Sequence, residues 1–151
     1  MRYFLDTEFN GFGGDLISIG LVPEHGDQEY YAVLPLPEKV DPWVDRHVVP
    51  YLDNVPLALT NHVDAATAAH EIAAFLTPDL DPVVVADWPE DIALFCRLLL
   101  TGPAEIVDVS NLRFEFHRNP GFSTAMNSQV PHNALHDARA LRRFMLGQDV
   151  D

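Results

Sequence analysis

The sequence predicts an α/β domain in which helices flank a mixed five-stranded sheet whose first three strands form an antiparallel meander. Three apolar runs of strand length follow one another closely within the first 34 residues. Beyond residue 40, segments with helical periodicity alternate with shorter apolar runs, which is typical of a sheet covered by helices. Because the chain has 151 residues, we expect 1–151 to form a single domain.

Short turns join the first three predicted strands. Arg2–Asp6 is the first strand, and the following segment EFNGFGGD contains three glycines and an asparagine, which predicts a turn. Leu16–Val22 is almost entirely apolar, so we expect a strand that is buried on both faces. A tight HGD turn leads into Glu29–Leu34, and connections this short favour antiparallel pairing.

Helical patterns dominate the later part of the chain. A short helix is expected at Asp41–Val49, where Pro50 ends it. Asp64 is the predicted N-cap of a helix over Ala65–Leu76, whose apolar residues recur with a 3.6-residue period. The other expected elements are a strand at Pro82–Ala86, a helix at Pro89–Leu100, a strand at Glu105–Val109, a short helix near Asn111–Phe116, and a helix at Asn133–Leu146 that Gly147 ends.

The charge of the protein is strongly negative and unevenly distributed. Nine basic and 23 acidic side chains give a formal net charge of −14, which disfavours the phosphate neutralisation that drives binding to long nucleic acids. Residues 110–151 nevertheless contain five basic and four acidic side chains, so an anionic partner would bind this C-terminal third of the chain. On charge alone, an acidic surface that keeps the protein soluble is the simpler explanation. The five basic residues are Arg113, Arg118, Arg139, Arg142 and Arg143.

The sequence shows no sign of export or of membrane insertion. Its apolar runs are far shorter than the about 20 residues of a membrane span. The N-terminus lacks the basic region and the cleavage site of a signal peptide. Cys96 is the single cysteine, so an internal disulfide is impossible. We therefore expect a cytoplasmic protein without membrane contact.

Asp6 and Glu8 form a D-x-E pattern at the end of the first predicted strand. In an extended backbone both side chains leave the same face, roughly 6–7 Å apart at the backbone. Two ionised carboxylates on one face are tolerated if they are solvated, if one is protonated, or if a cation lies between them. Taken alone, the pattern fits either a solvated strand end or a metal site.

A second unusual carboxylate is Asp137, which lies between Ala134 and Leu141 on the predicted core-facing side of the last helix. A buried carboxylate needs a partner, which is either an arginine such as Arg97 or a metal ion. His132 precedes Asp137 by five residues at the start of this helix. It is either an ordinary loop histidine or a second group at the same site.

A third acidic candidate, Asp91, follows the predicted strand Pro82–Ala86 and borders the apolar stripe of the next helix. Its neighbour Glu90 suits the helix N-terminus, and Asp87 ends the strand. With the earlier candidates, the set contains four carboxylates and one histidine, namely Asp6, Glu8, Asp91, Asp137 and His132. Hard oxygen ligands prefer Mg²⁺ or Mn²⁺, and two such ions can activate water and stabilise the leaving oxygen of a phosphodiester.

This ordered set resembles the motifs of the DEDDh branch of the DEDD 3′–5′ exonucleases. The three family motifs D-x-E, N-x-x-x-D and H-x-A-x-x-D are matched by Asp6 and Glu8, by Asp91, and by His132 and Asp137. Asp87 departs from the pattern, because the family usually has asparagine there. A likeness to the compact mycobacterial-type exoribonucleases of this branch extends over nearly the whole chain, in the segments MRYF-DTEF, LISIG, EYYAV, WV-x-x-HVVP and ALHDARALRRF.

The resemblance implies a ribonuclease H-like fold and a metal-dependent exoribonuclease. Such an enzyme releases nucleoside 5′-monophosphates from RNA 3′ ends that are single-stranded or form overhangs. It also implies two Mg²⁺ or Mn²⁺ ions, with Asp6 on both, Glu8 and Asp137 on the first, and Asp91 on the second. His132 would be the general base. The implied substrate-binding residues are Phe9, Asn10, Gly11 and Phe12 after the first motif, and Arg139 on the incoming strand.

Several alternatives stay open at the level of sequence. Phe9 and Phe12 could stack on a base or belong to the core. The substrate could be single-stranded DNA, or the fold could serve as a non-catalytic acidic binding module. Members of this branch are often homodimers, and Trp43 or Tyr51 would suit such a contact if exposed.

Overall fold

The computed structural model describes residues 1–147, so the part of the predicted domain that comprises residues 148–151 lies outside the described residues. Its strands are β1 (Arg2–Phe9), β2 (Leu16–Pro23), β3 (Tyr30–Val33), β4 (Val83–Ala86), β5 (Leu100–Gly102), β6 (Glu105–Ile106) and β7 (Arg113–Phe116). Five of them form one sheet in the order β3-β2-β1-β4-β7. β1, β2 and β3 pair antiparallel, whereas β4 runs parallel to β1 and β7. The predicted mixed sheet with an initial meander is confirmed.

Helices cover both faces of this sheet, as predicted. They are α1 (Pro42–His47), α2 (Ala65–Leu76), α3 (Pro89–Leu98), α4 (Thr124–Asn127) and α5 (Ala134–Met145), with 3₁₀ turns at Val49–Tyr51 and Leu57–Leu59. The predicted N-cap is confirmed, because the carboxylate of Asp64 accepts a hydrogen bond from the Thr67 backbone N–H at 2.8 Å. Among residues 1–147, none of the helices is long and apolar enough to cross a membrane.

Side chains along β1 alternate between the two helix layers. Leu5 packs in the same apolar cluster as Phe95 of α3. Its neighbour Phe4 points the other way and packs with Leu141 of α5. Because successive strand residues face opposite sides of a sheet, the later even-numbered residues of β1 face α5 and the odd-numbered ones face α3.

The fifth strand of the sheet is not where the sequence indicated. Only Glu105 and Ile106 of the strand predicted at Glu105–Val109 are extended; they are exposed and form a small hairpin with Leu100–Gly102, so the predicted place of this segment in the main sheet is wrong. The short helix predicted near 111–116 is also wrong. Instead, residues 113–116 pair with β4, because the alternating pattern of this segment turns Phe114 inward. The ring centroid of Phe114 lies 5.5 Å from that of Phe95.

The ends of several elements differ from the predicted ones, and α1 ends at His47 rather than at Val49, with Pro50 in the 3₁₀ turn that follows. β1 continues past Asp6 to Phe9, because β2 keeps pairing with it as far as Leu16 across a β-bulge. The turn is therefore shorter than the predicted EFNGFGGD segment. α3 ends at Leu98, two residues before the predicted end, since β5 of the hairpin begins at Leu100. Glu90 does not cap α3; its carboxylate accepts a hydrogen bond from the Gly13 backbone N–H at 2.9 Å.

A glycine lets α5 begin directly against the sheet. Gly20 of β2 is the register partner of Asp6. A Cβ atom at this position would lie 2.6 Å from the carbonyl oxygen of Ala134, the first residue of α5. Only glycine therefore allows the first turn of α5 to lie beside Asp6. This close approach determines which residues of α5 face the strand.

Candidate active site

The D-x-E pattern of β1 faces the first turn of α5. Asp6 and Glu8 are even-numbered residues of β1, so they lie on the α5 side of the sheet. Asp137 lies in the first turn of α5 and is buried. Ligand atoms from Glu8, Asp137 and His132 lie within 4.8 Å of one another. The structure thus brings together four of the five predicted catalytic residues from β1 and the start of α5.

Asp137 is held by the backbone that precedes its helix. Its Oδ2 atom accepts a hydrogen bond from the His132 backbone N–H at 3.0 Å. Asn133 caps α5 by accepting from the Leu135 backbone N–H at 3.1 Å and donates to the Tyr51 carbonyl at 2.8 Å. Asp137 Oδ1 is buried and has no partner within residues 1–147. An arginine, which the sequence allowed as a partner, does not pair with Asp137 in this part of the chain.

Asp91 reaches the site from the opposite side of the sheet. Thr7 is an odd-numbered residue of β1, so it faces α3. The Thr7 hydroxyl and backbone N–H both donate to Asp91 Oδ1, at 2.6 Å and 3.2 Å. Asp91 Oδ2 is buried and, in the described part of the chain, accepts no hydrogen bond. One oxygen of Asp91 is therefore fixed, and the other is free for a ligand.

Asp6 completes a set of three unsatisfied carboxylates. Its Oδ2 atom is buried without a partner among residues 1–147, like one oxygen each of Asp91 and Asp137. A buried acceptor that loses its hydrogen bond costs about 1–3 kcal/mol, and more if it is charged. Three such oxygens lining one cavity fit hard divalent cations as the missing partner.

Burial and mutual repulsion raise the pKa values of these carboxyl groups. Burial raises the pKa of Asp6 well above its usual range, and the negative charges of Asp91 and Asp137 add to the rise. The pKa of Glu8 is also raised well above normal by burial and by the same two neighbours. Burial raises the pKa of Asp91 and that of Asp137 to about 7 each. Bound cations would reverse these shifts by stabilising the ionised forms.

His132 stands beside the carboxylates in an unusual backbone conformation. Its φ angle is +65°, a left-handed value that costs energy for a residue other than glycine. Its ring contacts the Trp43 ring edge-on, with centroids 4.9 Å apart. Burial lowers the pKa of His132, and the nearby His47 lowers it further. The imidazole is therefore neutral at pH 7, which a proton acceptor requires.

A cavity of about 710 Å³ connects these groups to an aromatic rim. Phe9, Phe12, Trp43 and Trp88 line it together with the five predicted catalytic residues. Phe12 is 83% exposed, and its ring stacks on Trp88 at 5.8 Å with an interplanar angle of 27°. The volume lies within the range of small-ligand sites, and exposed aromatic rings at its mouth suit flat ligands.

The predicted substrate-binding residues are only partly collected around this cavity. Gly11 lines it along with the two phenylalanines. Asn10 instead ties the turn to the segment before α1, by accepting from the Asp41 backbone N–H and donating to the Lys39 carbonyl. Arg139 is engaged by both carboxylate oxygens of Glu29, at 2.8 Å and 2.5 Å. It is not among the residues that line the cavity.

Sequence reasoning missed two residues that border the cavity. Trp88 directly follows Asp87 in the ADWPED segment, where an aromatic residue just after a buried strand was the available signal. Thr7 was treated only as a spacer between two acids, although it holds Asp91. Trp43, a candidate for a dimer contact, is 47% exposed and also lines the cavity beside His132.

The assembled groups have a defined chemical capacity. The buried carboxylates of Glu8, Asp91 and Asp137 and the half-buried one of Asp6 supply hard oxygen ligands. A neutral histidine supplies a proton acceptor, and a cavity with an aromatic rim supplies space for a nucleotide-sized ligand. No protein-family model and no curated protein matches the sequence. The arrangement itself fits metal-assisted hydrolysis of a phosphate ester.

Proposed function

We propose that the protein is a metal-dependent 3′–5′ exoribonuclease with a ribonuclease H-like fold, which releases nucleoside 5′-monophosphates from RNA. The observation that carries this proposal is that buried oxygens of Asp6, Asp91 and Asp137, which find no partner among residues 1–147, converge on one cavity that also contains His132. Buried acids without partners are costly, and a fold retains them where a cation or substrate satisfies them.

The four carboxylates would hold two Mg²⁺ or Mn²⁺ ions. The carboxyl group of Asp6 interacts with the charges of both Asp91 and Asp137, so it is the natural ligand for both ions. Glu8 and Asp137 complete one site from the α5 side, and Asp91 completes the other from the α3 side. When bound, the ions would lower the pKa of the attacking water and neutralise charge on the phosphodiester.

His132 would accept the proton of the attacking water at a ring nitrogen. The hydrogen bond from its backbone N–H to Asp137 fixes the segment, and the edge contact with Trp43 orients the ring. Because its pKa lies below the ordinary value, the imidazole is available as a base at neutral pH.

Other features support a short nucleic-acid strand as the substrate. Exposed aromatic rings at the rim can stack on bases whatever their identity. The net charge of −14 disfavours a long duplex, because few contacts could neutralise its phosphates. The preference for RNA and the 3′–5′ direction rest on the resemblance of the sequence motifs to DEDDh exoribonucleases.

The proposal is tested with a 5′-labelled single-stranded RNA and its DNA counterpart, incubated with Mn²⁺ or Mg²⁺. We expect a ladder that shortens from the 3′ end, runs faster on RNA, and disappears with chelator. Asp6→Asn and His132→Ala should abolish it. Asp27→Asn and His70→Ala are matched controls on exposed positions and should leave it unchanged.

Three results would contradict parts of the proposal. A wild-type protein that leaves short strands and 3′ overhangs intact is not this exonuclease. A ladder that is faster on DNA than on RNA reassigns the substrate. If calorimetry shows no heat with either Mg²⁺ or Mn²⁺, the metal centre is refuted and a non-catalytic acidic binding module becomes the better explanation.

A further inference from the structure

The five arginines of residues 110–147 have very different surroundings. Four of them contact groups that do not line the cavity, namely Arg113 with Asp81, Arg139 with Glu29, Arg142 with the Glu24 carbonyl, and Arg143 with the Asn127 carbonyl. The fifth, Arg118, contacts both Asp87 and Trp88, which do line it. Arg118 is therefore the arginine of residues 110–147 that contacts the lining of the cavity.

The guanidinium group of Arg118 is held in position by two contacts and keeps N–H donors available for a ligand. Its Nη1 donates to the Asp87 carbonyl at 2.9 Å and lies 3.9 Å from the Asp87 carboxylate. Its Cζ lies 5.0 Å from the centroid of the Trp88 ring, within the range of a cation–π contact. The side chain is 58% exposed, and a guanidinium has five N–H donors. Most of its donors are thus free to face a ligand.

We propose that Arg118 and Trp88 form one subsite that binds the strand outside the carboxylate cluster, with Arg118 on a backbone phosphate and the Trp88 ring holding the guanidinium in place. This inference rests on the proposed nuclease function and names the group that draws the strand in. A planar guanidinium matches the geometry of phosphate oxygens, and stacking on Trp88 limits its motion.

Electrostatics makes one cation at this position important. The protein carries a net charge of −14, and six carboxylates line the cavity, namely the four predicted metal ligands together with Asp87 and Asp41. A phosphate that approaches the mouth meets negative potential unless a local cation opposes it. Arg118 lies next to Asp87 and offsets its charge, so the rim near Trp88 becomes the favourable path for the strand.

The test compares Arg118→Gln with Arg113→Gln as a matched control. Arg113 also ion-pairs with one aspartate, its side chain is 62% exposed, and it lies only five residues earlier. We expect Arg118→Gln to raise KM for a single-stranded RNA oligonucleotide about tenfold with kcat unchanged. The slope of log KM against log salt concentration should fall by roughly 0.7, the value of one phosphate contact on a single strand. Arg118→Lys should keep the slope and part of the affinity.

A double-mutant cycle tests whether the two residues act as one subsite. Trp88→Leu should raise KM by itself, and its effect should not multiply with that of Arg118→Gln, because the second change removes a contact already lost. The effects of Trp88→Leu and Arg113→Gln on KM should multiply, because these residues do not share a contact. Thermal melts of all variants establish that they are folded.

The outcomes separate this inference from the proposed function. If the wild type degrades RNA and Arg118→Gln behaves like Arg113→Gln, the subsite is refuted while the nuclease stands. A fall in kcat with unchanged KM also refutes it. If the wild type degrades nothing, anisotropy of a labelled RNA oligonucleotide with the His132→Ala protein and Mn²⁺ still decides. The subsite is supported if Arg118→Gln weakens binding of the RNA and Arg113→Gln does not. It is overturned if Arg118→Gln leaves binding unchanged or if no binding is seen.

Discussion

Replacing Asp137 with asparagine should stabilise the metal-free protein while removing its response to metal. Asp137 Oδ2 accepts from the His132 backbone N–H, and Oδ1 is buried without a partner in the described part of the chain. An asparagine can keep the first contact with its carbonyl oxygen. Its amide nitrogen can then donate to the carboxylate of Glu8, a ligand atom of which lies within 4.8 Å of one from Asp137. The substitution therefore exchanges a repulsion for a hydrogen bond.

The size of this effect follows from the pKa of Asp137. Burial raises this pKa from 3.8 to about 7. About three units at 1.36 kcal/mol each set an upper limit of about 4 kcal/mol for the cost of ionising Asp137 in the folded state. We expect Asp137→Asn to recover about 1–4 kcal/mol at pH 8. For a domain of this length the melting temperature should then rise by about 3–15 °C.

The sign of the pH dependence follows from linkage. Because the pKa is raised on folding, folded wild type binds more protons than unfolded chain between pH 4 and 7, and its stability falls as pH rises through that window. The advantage of Asp137→Asn is therefore complete above pH 7. It should shrink to about half by pH 5.5 and become small near pH 4.

Thermal unfolding with chelator at pH 8 and pH 5.5, and with Mn²⁺ at pH 8, measures these effects. Mn²⁺ at 100 times its Kd should stabilise wild type by about 2.7 kcal/mol. It should raise the melting temperature of Asp137→Asn much less. Asp27→Asn, which changes an exposed carboxylate in the β2–β3 turn, should do neither. The reasoning is refuted if metal-free Asp137→Asn melts at or below wild type at pH 8, or if Mn²⁺ stabilises both equally.

Three further predictions concern the same site. Thr7→Val should weaken Mn²⁺ binding by about tenfold in calorimetry because it removes the hydroxyl that orients Asp91, whereas Thr7→Ser should restore it; equal affinities for the two variants would contradict this role. Gly20→Ala should lower both stability and nuclease rate, since its Cβ would meet the Ala134 carbonyl at 2.6 Å and push α5 outward; an unchanged melting temperature and rate would show that α5 is not held there. Mn²⁺ affinity should rise with pH between 5.5 and 7.5 and release protons, because carboxyl groups with pKa values of about 7 bind protons in competition with the metal; a flat profile would exclude that competition.

Local patterns predicted most of the elements and the residues of the candidate site. The apolar runs of strand length in the first 34 residues and the 3.6-residue period over Ala65–Leu76 reflect which side chains a strand or helix buries, so each is readable without knowledge of its neighbours. The position of Asp137 on the core-facing side of the last helix predicted its burial in the same way. Spacing and residue chemistry therefore indicated the four carboxylates and His132 as candidates.

The fifth strand could not be assigned from the sequence, because two segments compete for the same sheet edge. Glu105–Val109 has the more apolar composition, yet 113–116 pairs with β4, since Phe114 fits against Phe95 of α3. Which of two segments pairs depends on contacts with residues far along the chain. Local propensity does not contain this information.

The sequence by itself determined the fold class, most of the elements and the set of chemically unusual residues, because these depend on local periodicity and residue type. Only the tertiary structure decided that one oxygen each of Asp6, Asp91 and Asp137 finds no partner among residues 1–147, and that Arg118 rather than Arg139 contacts residues that line the cavity. These facts depend on how β1, α3 and α5 pack around Gly20, and on the partners that each side chain finds there. Partner choice is a property of the folded chain, since the competing partners lie far apart in sequence and meet only when the helices pack on the sheet.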